Sequence, residues 1–297
     1  MKLLTLPDDG LTETIAAIKR AKTSLDLTIF RFDRAEIEKA LRAAVARGVK
    51  VRALVANTNR GGEKLLRKLE QRLLAEGITV TRTGDDLLRY HGKMLVADNR
   101  TLHLMLFNYT ALDARSRSFG VVARNRALVA EAVRLFEADA MRQPFTPPVR
   151  QLVISPDNAR TVLSAFIRGA RKELLIYDPK VSDPSMVRLL EERASKGRDV
   201  RILGGASKRA KLIRVLKLAG TRLHARVIIR DGRQAFLGSQ SLRAAELDTR
   251  REIGLIVKDA SVVRALRQVF EKDWEASAPA DKKTPEAAGA TATAAPA

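Results

Sequence analysis

The chain has 297 residues, 45% hydrophobic but only 4% aromatic, with three histidines and no cysteine. Its net charge of +21 and pI near 10.8 favour anionic partners: nucleic acid, anionic lipid surfaces or phosphate-bearing substrates. Disulfides and thiolate metal sites are excluded, a base-stacking platform lacks its aromatics, and no apolar run approaches the roughly 20 residues of a membrane-spanning helix.

The first ten residues, MKLLTLPDDG, hold an apolar patch cut by Pro7, Asp8 and Asp9, too short for a signal peptide. A cytoplasmic protein is expected, touching membranes peripherally if at all. Residues 15–30 then read as an apolar-periodic helix feeding an alternating strand, and 37–55 as a helix, a Gly48 stop and a second strand. A basic helix over 61–76 follows, with Gly61-Gly62 as a phosphate-facing loop at its start. Next comes YHGKMLVADNR (90–100), and a strand and helix over 119–140 close the first half.

The prolines of 142–150 mark a linker, after which the pattern repeats. Residues 163–177 and 186–203 give helix–strand units again, with Gly197, Val200 and Arg201 matching Gly48, Val51 and Arg52 at a constant shift of 149. A basic amphipathic helix is expected over 207–219, its apolar side being Leu212, Ile213, Val215 and Leu216. LHARVIIRDG (223–232) and a strand and helix over 253–274 complete the repeat. The Ala/Pro/Thr-rich tail has no periodicity and is expected to be disordered. The expected organisation is a first half over 1–146, a second over 147–275 and a tail over 276–297. Strand–helix alternation predicts an α/β fold with mainly parallel sheets, its halves packed about a pseudo-two-fold axis with one shared cleft.

The chemistry lies in the two histidine segments. Read as a strand, 91–98 puts His91 and Lys93 on one face, a titratable imidazole beside a cation, which suits an oxyanion such as phosphate. His224 and Arg226 repeat the relation, and Asp98 and Asp231 each follow their histidine by seven residues. Two histidines facing one phosphate divide the work: one attacks phosphorus, and the other protonates the leaving oxygen and then activates the acceptor. Lys93 and Arg226 would hold the non-bridging oxygens. This chemistry calls for neither cofactor nor metal. His103 has no counterpart in the second half and reads as a structural strand residue.

Over residues ~10–275 the chain resembles the phospholipase D superfamily, with its paired H-x-K-x4-D motifs, and within it the bacterial cardiolipin-synthase-like proteins. His91, Lys93, Asp98 and Asn108 match the fuller motif in the first half, where Met105-Leu106 replace Gly-Ser. His224, Asp231, Gly238 and Ser239 match in the second, with Arg226 for Lys and Ser241 for Asn. The resemblance implies an enzyme whose catalytic residues are His91, Lys93, Asp98, His224, Arg226, Asp231 and Glu252, the last orienting a histidine. Asn108, Ser239 and Ser241 would bind substrate, and His91 is taken as the nucleophile. Ser118 stands where the first half would place Glu252's equivalent, so one histidine is expected to have a carboxylate partner and the other a neutral one. The activity implied is a phospholipase D-type phosphodiesterase or phosphatidyltransferase, acting as a monomer on phospholipid through a phosphohistidine. A metal-independent nuclease, or a degenerate binder of anionic lipid or nucleic acid, is the alternative.

Overall fold

The computed structural model describes residues 1–58, 63–148 and 151–279. Runs such as Met94–Ala97 and Val227–Arg230 form strands almost without polar alternation, and the alternating Ser24–Ile29 is buried almost throughout, because the sheets are covered on both faces. The first sheet has seven strands in the order Lys2–Leu6, Ser118–Ala123, Thr101–Met105, Met94–Ala97, Ser24–Ile29, Lys50–Val55, Thr79–Arg82.

The second sheet repeats that order with the second half's strands: Leu152–Ser155, Arg250–Val257, Gln234–Gly238, Val227–Arg230, Glu173–Val181, Asp199–Ala206, Arg214–Leu216. It also takes in a guest from the first half, Arg89–Tyr90, which lies parallel to Arg250–Arg251. The chain is therefore an α/β protein of two similar halves.

Two expectations need correction. The sheets are mixed, not mainly parallel. Only the blocks from Ser24 to Arg82 and from Glu173 to Leu216, with the guest strand, pair in parallel. The turns at Asp98–Arg100 and Asp231–Arg233 are too short for a crossover and force antiparallel neighbours. Residues 207–219 also form no helix. Arg214–Leu216 pairs with Arg201–Leu203 as an edge strand, in the place Thr79–Arg82 holds in the first half. The first half has room for helix Glu63–Ala75 before that strand, whereas in the second only residues 207–213 separate the two strands. Leu212 is left exposed while Ile213 and Leu218 are buried. The predicted Gly61-Gly62 loop lies outside the described residues, as does the tail from 280. Helix Ala260–Ser277 runs two residues into the expected tail.

The halves share one core. Leu104, Phe119 and Val121 pack in the same cluster as Leu175, Tyr177, Val227 and Leu255, and helices Arg126–Met141 and Ala260–Ser277 lie in this central layer. Separate clusters on the outer faces hold Thr12–Arg20, Ala35–Ala46 and Glu63–Ala75 on one sheet, and Ala159–Arg168 and Pro184–Ser195 on the other.

Candidate active site between the halves

Each histidine is fixed by the other half's backbone. The guest strand Arg89–Tyr90 leads straight into His91, whose N–H donates to Arg251 O at 2.7 Å. Symmetrically, Leu223 bridges Arg117, and the His224 N–H donates to Arg117 O at 3.0 Å. His91, Gly92 and Lys93 are not strand residues as expected; they carry the chain across to the first sheet, which resumes at Met94. Gly92 suits that crossing, since a Cβ there would meet the Ile253 side chain at 2.4 Å.

His91 and His224 line one cleft of about 200 Å³. The His91 ring nitrogens have opposite neighbours. Nδ1 lies 2.8 Å from Glu252 Oε2, and Nε2 lies 2.9 Å from Lys93 Nζ. With the carboxylate accepting from Nδ1–H, Nε2 is unprotonated and its lone pair accepts from the Lys93 ammonium. The Phe30 ring meets the imidazole edge-on at 4.5 Å, and Lys93, Arg31 and Arg89 lie 5.5 to 5.7 Å from its centroid. His224 Nδ1 lies 3.0 Å from Asp113 Oδ1, turned off the line of a good hydrogen bond. Asp113 also accepts from Asn108 N–H and Nδ2, each at 2.7 Å, and from Arg222 at 2.8 Å.

Burial governs the protonation states. It holds His91 well below its ordinary pKa, with the Lys93 and Arg226 charges adding to the effect. It pulls His224 down to about 4 against the attraction of Asp113. Lys93 is brought down to about 7 by burial and Arg226, with Glu252 opposing. Burial also pushes Glu252 up, against the pull of Lys93. It pushes Asp113 up too, but the His224, Asn108 and Arg222 contacts outweigh it and hold that carboxyl well below the usual range.

The structure brings together His91, Lys93, Asn108, His224, Arg226 and Glu252. Ser241 stands behind Arg226, accepting from its Nε at 3.2 Å, while Arg226 Nη1 has no hydrogen-bond partner among the described residues. Ser239 sits deeper, where its Oγ accepts from Ile253 N–H at 3.1 Å. Met105 and Leu106 are packed in the cores.

Asp98 and Asp231 do not reach the cleft. Both occupy left-handed turn positions, with φ of 53° and 55°. The Asp98 carboxylate accepts from the N–H groups of Lys22, Thr23 and Ser24, and that of Asp231 from Arg171, Lys172 and Glu173. They lock the turn to the start of the neighbouring strand.

The expected neutral partner for one histidine is also corrected. Ser118 Oγ donates to the His224 carbonyl, not its ring, and Asp113 on the short helix Ala111–Ala114 supplies the second carboxylate. A signal for it existed. Asp113 follows His91 by 22 residues, as Glu246 follows His224. Sequence reasoning also missed the arginines that, with Arg226, line the cleft: Arg31, Arg89, Arg222, Arg243 and Arg250.

Two buried histidines, each beside a carboxylate and facing arginines across one cleft, form a site suited to phosphoryl chemistry. Residues 14–140 and 163–274 match the family described as cardiolipin synthase, PLD-like domain, and the chain belongs to that family. Among solved structures it is similar to the polyphosphate kinase of Porphyromonas gingivalis (TM-score 0.77, 19% identity, covering 92% of this chain and 47% of that one). The chain thus spans about half the length of that kinase. It is also similar to the phosphatidylserine synthase of Haemophilus influenzae Rd KW20 (TM-score 0.69, 13% identity, covering 92% and 85%). No match to a curated protein was found.

Proposed function

We propose that the protein is a phosphodiesterase or phosphatidyltransferase acting on phospholipid. The observation that carries this reading is the His91 arrangement, with Nδ1 tied to Glu252 and an unprotonated Nε2 accepting from Lys93, whose ammonium passes to a phosphate oxygen when Nε2 attacks. His91 Nε2 attacks phosphorus, forming an N–P bond as the P–O bond to the leaving alcohol breaks. His224 gives that oxygen its proton; the incoming phosphate anion and Asp113 both favour its protonated form. Neutral His224 then takes a proton from water or a second alcohol, whose oxygen displaces His91. Lys93 and Arg226 hold the non-bridging oxygens throughout, and Glu252 balances the charge that develops on His91. No described helix is long and apolar enough to cross a membrane, and the arginine-rich cleft mouth favours peripheral contact with an anionic surface. The same arginines make nucleic acid the second reading.

The test is mass spectrometry of phosphatidylglycerol vesicles incubated with the protein in EDTA. Phosphatidic acid or cardiolipin should form with wild type and fall at least about a thousandfold with His91→Ala. Cleavage of DNA or RNA without lipid turnover would establish the second reading instead.

A further inference from the structure

The cleft opens at one end onto an apolar groove of about 310 Å³, sharing Arg31, Thr110 and Leu112 with it. One wall is Leu65, Leu66 and Leu69 of helix Glu63–Ala75, and Phe32 faces them. Leu66 and Leu69 are buried, but Leu65 is 66% exposed and Leu112 51%, two large apolar side chains left in water at the edge of a cationic cleft. The Phe32 side is held rigidly. Phe32 bridges Tyr109 with the rings 5.6 Å apart, the Asp33 N–H donates to Tyr109 O at 2.8 Å, and the Ala111 N–H donates to Asp33 Oδ1 at 2.9 Å. The trough is therefore preformed. Elsewhere the cleft is lined by polar side chains, among them Arg243, Glu246 and Arg250.

We infer that this groove seats an acyl chain of the phospholipid whose phosphate occupies the cleft, a reading that rests on the function proposed above. Its continuity with the cleft supports this. A phosphate beside Arg31 can pass its apolar substituent over Leu112 to Leu65 without a break. A nucleic acid or polyphosphate would carry negative charge along the whole track, yet among the described residues the charged ones lining the groove are Arg31 and Asp33, of opposite sign. The polarity difference also orients the substrate, with the acyl side toward Leu65 and the head group toward Arg243 and Arg250.

Calorimetric titration of the full chain with inorganic phosphate and then n-alkyl phosphates from butyl to decyl, below micelle-forming concentrations, tests the inference. Affinity should rise about two- to fourfold per added methylene, and Leu65→Asn, exposed and so tolerated by the fold, should flatten that rise. Phosphate binding with no dependence on chain length, or an unchanged slope in Leu65→Asn, would overturn the groove assignment and leave the phosphoryl-transfer reading standing. Failure to bind inorganic phosphate at all would remove that reading and the groove with it.

Discussion

Lys93 is useful only while charged, and burial has brought it to the edge of that condition. With its pKa near 7, the ammonium that holds a non-bridging oxygen is present below that pH and lost above it. kcat/KM, which reports the free enzyme, should therefore decline as pH rises through about 7. Lys93→Arg, slower overall, should move that limb upward because a guanidinium keeps its charge; an unmoved limb would assign it to another group. Arg226 presents the complementary case. Its Nε is committed to Ser241 while Nη1 has no hydrogen-bond partner among the described residues, so one side chain can be anchored and still reach phosphate. A lysine lacks the second donor position, and Arg226→Lys should lower kcat/KM about tenfold. A gain would instead mark the second motif as decayed. His103 is buried, with Nδ1 lacking a partner among the described residues, and is brought down to about 4 by burial. Folding favours its neutral form, so its contribution is complete above the ordinary 6.5 and lost as pH falls toward 4. Urea unfolding should show wild type losing up to about 3 kcal/mol more than His103→Gln across that window; equal losses would remove His103 from the acid response. The motif residues at the cleft were legible because they recur at fixed offsets. Asp113 was legible only as an acidic residue recurring 22 positions after each histidine; its role comes from a helix packing against the other half's histidine, and the offset does not encode that contact.

At the scale of elements, the two hairpins that follow the histidines depend on their aspartates. Each carboxylate accepts from three consecutive backbone N–H groups, as a capping residue would. Asp98→Asn and Asp231→Asn keep a side chain that tolerates the left-handed turn but remove the charge. Each should cost about 1–3 kcal/mol in denaturant unfolding while kcat of the folded protein changes little. A stable but inactive variant would return these residues to the chemistry. Periodicity located the long helices and the strands they feed, but not the short edge strands such as Lys2–Leu6, Thr79–Arg82 and Leu152–Ser155, and it failed at 207–219. The apolar spacing there fits a helix, but the few residues between the flanking strands do not leave space for one, and edge pairing with Arg201–Leu203 prevails. The parallel-sheet expectation failed for a related reason. Alternation of helix and strand was read across the histidine hairpins, whose short turns permit only antiparallel pairing.

The molecule as a whole is one unit made of two copies. Each half holds the other's histidine by backbone at the start of its last strand, Arg251 in one and Arg117, just before Ser118, in the other, and the central cluster draws side chains from both. We propose the division at 146/147 as a boundary of sequence repeat, not of independent folding. Residues 1–146 or 147–275 expressed alone should bind hydrophobic dyes, and neither should turn over substrate; a monomeric, active half would refute this. The internal repeat could be read directly from sequence, including its single cleft. The backbone exchange that builds the cleft could not, because it is a long-range pairing of one two-residue segment and one single bridge.

The most direct test of the central claim is a single-turnover reaction of wild type with phosphatidylglycerol, quenched in alkali, where a phosphoramidate survives, followed by intact mass and peptide mapping. A phosphatidyl adduct should appear on His91 and decay as product forms, and His91→Asn should show neither adduct nor product. An adduct on His224, or turnover retained in His91→Asn, would contradict the assignment of His91 as nucleophile.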